Sequence, residues 1–299
     1  MSVNQDPRPA VGLIGLGNMG SAFAERLFDA GYEVVLHNRS PAKTQALAER
    51  GATVAGTVAE LAAVVDIVLT SLSDDDALES VAAAVTAAAR PGTTLVDTST
   101  VSPEASARVA SLAEQASMGY LRAPVSGNPG VVRAGNAAFI VSGPVAALER
   151  GEPVLHAIGR AVHVVGDAEQ ARIVKLAINL MIAGLAQLMA EALVLGESAG
   201  VSRAALLETM GDSAVGAPFV KYKTEPLLRD DYSATFTTNL MEKDIDLVLE
   251  AAGAAGVRLP LADELKALVR STVEAGYGDD DFMALYLRLK STSDQEVLR

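Results

Sequence analysis

From Val11 to Val165 the chain alternates short runs of Val, Ile and Leu with longer alanine-rich stretches whose apolar residues recur at helical spacing. The runs predict strands at 11–14, 33–37, 52–54, 67–71, 94–97, 120–123, 138–141 and 162–165. The first several are apolar almost throughout, as parallel strands covered on both faces must be. Strand and helix in alternation predict a doubly wound α/β sheet.

After Gly166 the texture changes. Residues 167–201 hold no proline and keep an uninterrupted helical pattern, and further helices are predicted at 203–210, 239–255, 260–275 and 281–290. Punctuation such as GAPF and GYGDDD separates them, and nothing there reads as a strand. The expected organisation is therefore an N-terminal α/β domain over 1–165 and an all-helical domain over 166–299, joined by a long interdomain helix.

The first predicted strand runs into GLGNMG, with glycines at Gly15, Gly17 and Gly20, and then into an amphipathic helix that ends at Gly31. Strand, glycine turn and helix in that order identify a dinucleotide-binding, Rossmann-type turn. Gly15 permits the sharp turn, Gly17 lets the backbone approach a pyrophosphate, and Gly20 lets the helix pack on the strand. Leu16, Asn18 and Met19 complete the turn, and the helix N-terminus offers free N–H groups to the phosphates.

NAD sites place Asp or Glu about 20 residues past the glycines, on the ribose hydroxyls. This chain has Asn38, Arg39 and Ser40 there, followed by Lys43. Arginine holds a phosphate dianion through paired, charge-assisted hydrogen bonds. NADP(H) is accordingly favoured over NAD(H).

Composition narrows the partners. Half of the 299 residues are apolar, enough for a large core, and the formal charge of -13 disfavours nucleic acid and anionic membranes. There is no cysteine, which excludes disulfides and thiolate chemistry. His37, His156 and His163 show no ligand spacing, so no metal is expected. The leader MSVNQDPRPA lacks an apolar centre and does not read as a secretory signal, so a cytoplasmic protein is expected. The longest uncharged stretch, 176–190, reads as a buried helix too short to cross a bilayer. Its apolarity predicts packing between domains and between subunits of a homodimer or homotetramer. Met181, Met189 and Met241 are expected in the core, and the Asp triplets at 74–76 and 279–281 at helix N-termini.

Four segments together resemble the β-hydroxyacid dehydrogenase family, which includes 3-hydroxyisobutyrate dehydrogenase, tartronate semialdehyde reductase and glyoxylate/succinic semialdehyde reductase. They are GLIGLGNMGSAFAERL, LVDTSTVSPEASARVA, RAPVSGNPGVVRAG, and KLAIN with the later MEKDIDLVLEAAGAAGVRLPL. The resemblance implies that Lys175 is the proton donor in carbonyl reduction and the base in alcohol oxidation. It implies that Asn179, one helical turn on, orients the substrate oxygen. Ser126, Gly127 and Asn128 would hold the carboxylate of a small substrate. Lys243 would close the site beside Phe236 and reach the cofactor, while Leu72, Ser99 and Thr100 would lie at its nicotinamide end.

Elementary chemistry agrees, because hydride delivered to a carbonyl carbon develops negative charge on oxygen, which a lysine can protonate. Its ordinary pKa of about 10.4 is high for that task, and burial beside IVKLAINLMIAG is expected to lower it. Departures from the family pattern fall at Arg122, where many members carry Asp, at Asn128 and Pro129 in place of a second glycine, and at Ile178 in place of an asparagine. With Pro129 and Arg133 added, the changed 126–133 loop would reshape the pocket or supply a new charge near it. The helical half is too small for a 6-phosphogluconate dehydrogenase. Two alternatives stand: an NADPH-dependent imine or ketone reductase, and a non-catalytic NADP-binding module.

Overall fold

The computed structural model describes residues 8–297. The chain divides into two compact units, Met1–Lys175 and Leu176–Arg299. In the first, the order is β1 (Val11–Ile14), α1 (Asn18–Asp29), β2 (Val34–His37), α2 (Gln45–Ala48), β3 (Thr53–Val54), α3 (Val58–Val64), β4 (Ile67–Thr70), α4 (Asp75–Ala88) and β5 (Thr94–Asp97). There follow α5 (Pro103–Gln115), β6 (Gly119–Arg122), β7 (Val125–Ser126), α6 (Pro129–Arg133), β8 (Ala138–Ser142), α7 (Val145–Ile158), β9 (Ala161–Gly166) and the start of α8 (Gln170–Ser198). The second unit holds the rest of α8 with α9 (Arg203–Asp212), α10 (Pro218–Leu228), α11 (Thr238–Ala254), α12 (Pro260–Thr272) and α13 (Leu285–Val297).

The strands form one sheet in the order β3-β2-β1-β4-β5-β6-β8-β7, with β9 pairing β8. Pairing is parallel from β3 through β6, whereas β8 runs antiparallel to both β6 and β7. The continuous apolar runs conceal an ordinary two-residue alternation. Leu13, Leu36, Leu69 and Val96 pack with Phe23, Leu27, Phe139 and Val154 on one face, while Ile14, Val35, Val68 and Leu95 pack with Leu61, Leu78, Val85 and Val109 on the other. Both faces are covered, so a polar side chain on either would lose its water.

In the second unit, Met189, Leu193, Phe219, Ile245, Leu265, Phe282 and Tyr286 form the core. Helix α8 is longer than the uncharged stretch 176–190 and, by length and composition, is long enough to cross a membrane. Its buried residues Ala183, Ala186, Met189, Ala190 and Leu193 belong to the core of the second unit, which accounts for much of that apolarity.

Several expectations are corrected. The GAPF punctuation opens α10, with Pro218 in its first turn, where a missing N–H does no harm. The helix expected to reach 275 leaves α-geometry at Val273, where a π turn over Val273–Tyr277 contains Gly276 at φ 97°. The expected 281–290 helix begins instead as a 3-10 turn, Phe282–Ala284, before α13. Met181 is exposed, unlike buried Met189 and Met241. Asp74 does cap α4 by accepting from the Ala77 N–H at 2.8 Å, but Asp281, besides capping its turn, is buried against Lys223.

Candidate active site at the carboxyl edge of the sheet

The carboxyl ends of four strands lie side by side: Ile14 pairs with His37 and with Thr70, and Thr70 pairs with Asp97. The chain leaves β1 toward β2 on one side and β4 lies on the other, so the order reverses there, which is where open α/β sheets bind ligands. The loops leaving this edge carry the glycine turn, residues 38–43, Leu72, and Ser99 with Thr100.

The turn is tightly built at two of its three glycines. Gly15 has φ 93°, and a Cβ there would sit 2.3 Å from the Ser71 carbonyl oxygen. A Cβ on Gly20 would meet the Gly15 carbonyl oxygen at 1.9 Å, so the first turn of α1 can close on the strand only with glycine present. Gly17 differs, since a Cβ there would meet nothing within 4 Å. Its glycine is not required by packing, and the open space in front of it fits the approach of a pyrophosphate. Gly17 is also the N-cap of α1 and supplies no side-chain cap, leaving the helix N-terminus to a ligand. Asn18 and Met19 follow as the first two residues of α1.

The segment after β2 is fastened to that turn. Asn38 Oδ1 accepts from the Leu16 N–H at 2.8 Å, and Asn38 Nδ2 donates to the Ser40 carbonyl at 2.9 Å. Arg39, Ser40 and Lys43 are exposed. Among the described residues neither Arg39 nor Lys43 is engaged in an ion pair, and no carboxylate occupies 37–43.

On the other side, the Leu72 N–H donates to Ser99 Oγ at 2.9 Å, and Asp97 Oδ1 accepts from Ser99 Oγ at 2.7 Å and Thr70 Oγ1 at 2.6 Å. Sequence reasoning named Leu72, Ser99 and Thr100 but gave no role to Asp97 or to Arg172. Arg172, in the first turn of α8, is 1% exposed and reaches Asp97, Ser99, Ser106 and Tyr120. The signal was present as a charge inside ARIVK, three residues before Lys175. Burial alone would push Arg172 toward losing its proton, but Tyr120 and Asp97 outweigh it and its pKa is raised. Burial likewise pushes the Tyr120 phenol up. Lys175 itself is half-buried.

Ser126 ends the two-residue strand β7, and Gly127 follows at φ 141°, where a Cβ would lie 3.0 Å from Val131 Cγ1. Asn128 is the N-cap of α6, its Oδ1 accepting from the Val131 N–H at 3.0 Å. Both arginines among the departures from the family pattern are ion-paired within the fold. Arg122 is buried against Glu169 and stacked over the Tyr120 ring at 4.6 Å, so its charge is neutralised within the fold. Arg133 pairs with Glu25 on α1.

In the second unit, Asn179 Nδ2 donates to Asp244 Oδ2 at 2.5 Å, so part of the amide expected on substrate is committed to a carboxylate. Lys243 Nζ lies 3.1 Å from Asp244 Oδ1, close enough for an ion pair without hydrogen-bond alignment. Asp244 is thus a hub that sequence reasoning quoted within MEKDID but left without a role. Phe236 packs edge-on against Phe282. No group of three or more His, Asp or Glu among the described residues is gathered to hold a metal.

The family model described as the NAD binding domain of 6-phosphogluconate dehydrogenase matches residues 10–166, and that described as NAD-binding of NADP-dependent 3-hydroxyisobutyrate dehydrogenase matches 170–289. The chain is 32% identical over 279 residues to 2-(hydroxymethyl)glutarate dehydrogenase of Eubacterium barkeri, covering 92% of this chain and 93% of the relative. The solved 3-hydroxyisobutyrate dehydrogenase of Mycobacterium tuberculosis, described with L-serine, superposes with a TM-score of 0.85 at 30% identity, over 95% of this chain and all of the other. An imine reductase from Myxococcus stipitatus in complex with NADP+ gives a TM-score of 0.63 at 26% identity, over 94% and 100%.

Proposed function

The chain belongs to the β-hydroxyacid dehydrogenase family and is an NAD(P)-dependent oxidoreductase, and from that premise we propose that it interconverts a small β-hydroxy acid and its semialdehyde or oxo acid, with NADP(H) as cofactor and Lys175 as general acid and base. The observation that carries the reading is the anchorage of α8. Arg172 Nη1 donates to the Ser99 carbonyl at 2.8 Å, so the helix bearing Lys175 starts at the carboxyl edge where the nucleotide loops meet.

The pyrophosphate would rest on the turn 15–20, and the 2′-phosphate on Arg39 and Lys43 with Ser40 beside them. NADPH, when bound, supplies the hydride. Lys175 hands its proton to the oxygen as negative charge grows there, and takes it back in the oxidative direction. Ser126 and Gly127 hold the substrate carboxylate through a hydroxyl and a backbone N–H, which fixes the carbonyl for attack. A positioned acid of this kind is worth roughly 10²–10⁴ in rate.

The test is cofactor consumption over semialdehydes, 2- and 3-oxo acids, neutral ketones and cyclic imines, with NADPH and NADH and with Lys175→Ala in parallel. Acidic carbonyls should lead in kcat/KM, NADPH should outperform NADH, and Lys175→Ala should lose about 10²-fold or more. Equal kcat/KM for neutral ketones or imines would replace the carboxylate reading with a reductase of the imine type. Background rates for every carbonyl despite cofactor binding would leave a nucleotide-binding module.

The same reading includes a homodimer or homotetramer. Met181, Leu188 and Leu195 are exposed at seven-residue intervals along α8, an apolar stripe of the kind that a second copy covers. A monomer by light scattering at micromolar concentration would refute it.

A further inference from the structure

Arg172 makes more contacts than holding a helix end requires. Its Nη2 donates to Asp97 Oδ2 at 2.5 Å and to Tyr120 Oη at 2.9 Å, its Nη1 to the Ser99 carbonyl at 2.8 Å, and its Nε to Ser106 Oγ at 3.1 Å. These four partners come from β5, β6, α5 and the loop that follows β5. The opposite oxygen of Asp97 holds Ser99 and Thr70, and Ser99 Oγ in turn holds the Leu72 N–H. One guanidinium therefore joins the first turn of α8 to the two loops expected at the nicotinamide.

We infer that Arg172 is a positioning residue that sets the rotation of α8 against the Leu72 and Ser99 loops, and so aims Lys175. The inference rests on the proposed role of Lys175 as acid and base. Three residues of α-helix advance by about 300°, so the two side chains leave the helix about 60° apart and about 4.5 Å along its axis. An ammonium group ~6 Å from that axis moves by about 1 Å when the helix turns by ~10°, and a 1 Å misplacement is worth about 10²-fold in rate. Lysine in place of Arg172 has no planar fork and cannot meet partners from four elements at once. Tyr120 and Asp97 raise the guanidinium's pKa against its burial, so its charge is retained.

The test separates aim from stability. In Asp97→Asn/Arg172→Met both charges go together, and replacing a buried pair by neutral groups is often tolerated by the fold. The asparagine amide keeps an oxygen for Ser99 and Thr70, so only the Arg172 side of the network changes. The expected result is a cooperative melt, a Kd for NADPH within about threefold of the parent, and kcat lower by roughly 10–100-fold. Arg172→Lys should fall between the two.

A folded double variant with parental kcat, alongside inactive Lys175→Ala, would overturn the positioning role and leave the acid–base reading intact. Full activity in Lys175→Ala would overturn both. If the double variant does not fold, Tyr120→Phe and Ser106→Ala each remove one partner. Each should lower kcat by about two- to fivefold with Kd unchanged, and parental kcat in both would overturn the inference.

Discussion

Among the described residues, the most deeply buried ion pair of each unit is built from a different cation. In the α/β unit, Arg172 and Asp97 are 1% and 0% exposed at their side chains, and in the helical unit Lys223 and Asp281 are 4% and 6% exposed. Lys223 directs its ammonium at both oxygens of Asp281, at 2.7 Å each, and lies over the Phe282 ring at 4.5 Å. Burial pushes the Lys223 pKa down while Asp281 opposes it. Asp281 also accepts from Thr235 and from the Met283 N–H, so the charge closes the joints among α10, the segment before α11 and the turn before α13. Arg172 instead spreads its fork over Asp97, the Ser99 carbonyl, Ser106 and Tyr120. A compact point charge meets one carboxylate, whereas a planar fork reaches partners on several elements at once.

The sharpest way to break this comparison is to remove a single charge from the helical unit's pair. Lys223→Met strands Asp281 in the interior and should destabilise the helical unit by about 3–5 kcal/mol, with the folded fraction keeping its specific activity. A denaturant melt with an assay below the transition checks both. If specific activity falls along with stability, the two pairs are not different in kind.

Next in size is Gly20→Ala, whose methyl group meets the Gly15 carbonyl oxygen. It should cost about 1–3 kcal/mol of strain and weaken NADPH binding by tenfold or more, as measured by nucleotide titration. Gly17→Ala meets no protein atom, so at equal stability any loss of binding there reports on the ligand alone.

A pH titration sharpens the contrast further. Partial burial alone would push Glu197 up, but hydrogen bonds from Arg203, Tyr286 and Lys290 outweigh it and hold the carboxyl down at about 2, from an ordinary 4.5. A carboxyl depressed in the folded state stabilises above its unfolded pKa, so this contribution is complete above pH 4.5 and is lost as pH falls toward 2. Glu197→Gln should lower stability at neutral pH and flatten the acid limb of the helical unit. The smallest effect is expected at the surface, where Arg133→Ala removes a pair with Glu25 that is half in water and should change stability by less than about 1 kcal/mol.

Much of this was legible because parallel strands covered on both sides leave an unmistakable trace. Runs such as Val11 to Ile14 and Ile67 to Thr70 can hardly be anything else when helical stretches flank them. The glycine turn was readable for a related reason, since a left-handed backbone at Gly15 and a shortage of space at Gly20 demand that residue. What escaped was local and short-ranged or depended on partners distant in sequence. The two-residue strand β7 gives no periodicity to detect. Helix α10 opens on a proline and contains Pro226 near its end, so its sequence reads as a breaker. Met181 has the composition of the core and lies outside it, because composition does not say which side of a helix is covered. Arg172 and Asp97 lie 75 positions apart, and neither residue alone announces the other.

Asn38 has one consequence for anyone who would redesign nucleotide preference. Its side chain is a staple between the 38–43 segment and the glycine turn, accepting from Leu16 and donating to the Ser40 carbonyl. An acidic residue grafted there to favour ribose hydroxyls would keep the first bond and forfeit the second. The permissive positions are Arg39, Ser40 and Lys43, whose side chains stand in solvent and can be exchanged without disturbing the shape of the cradle beneath them.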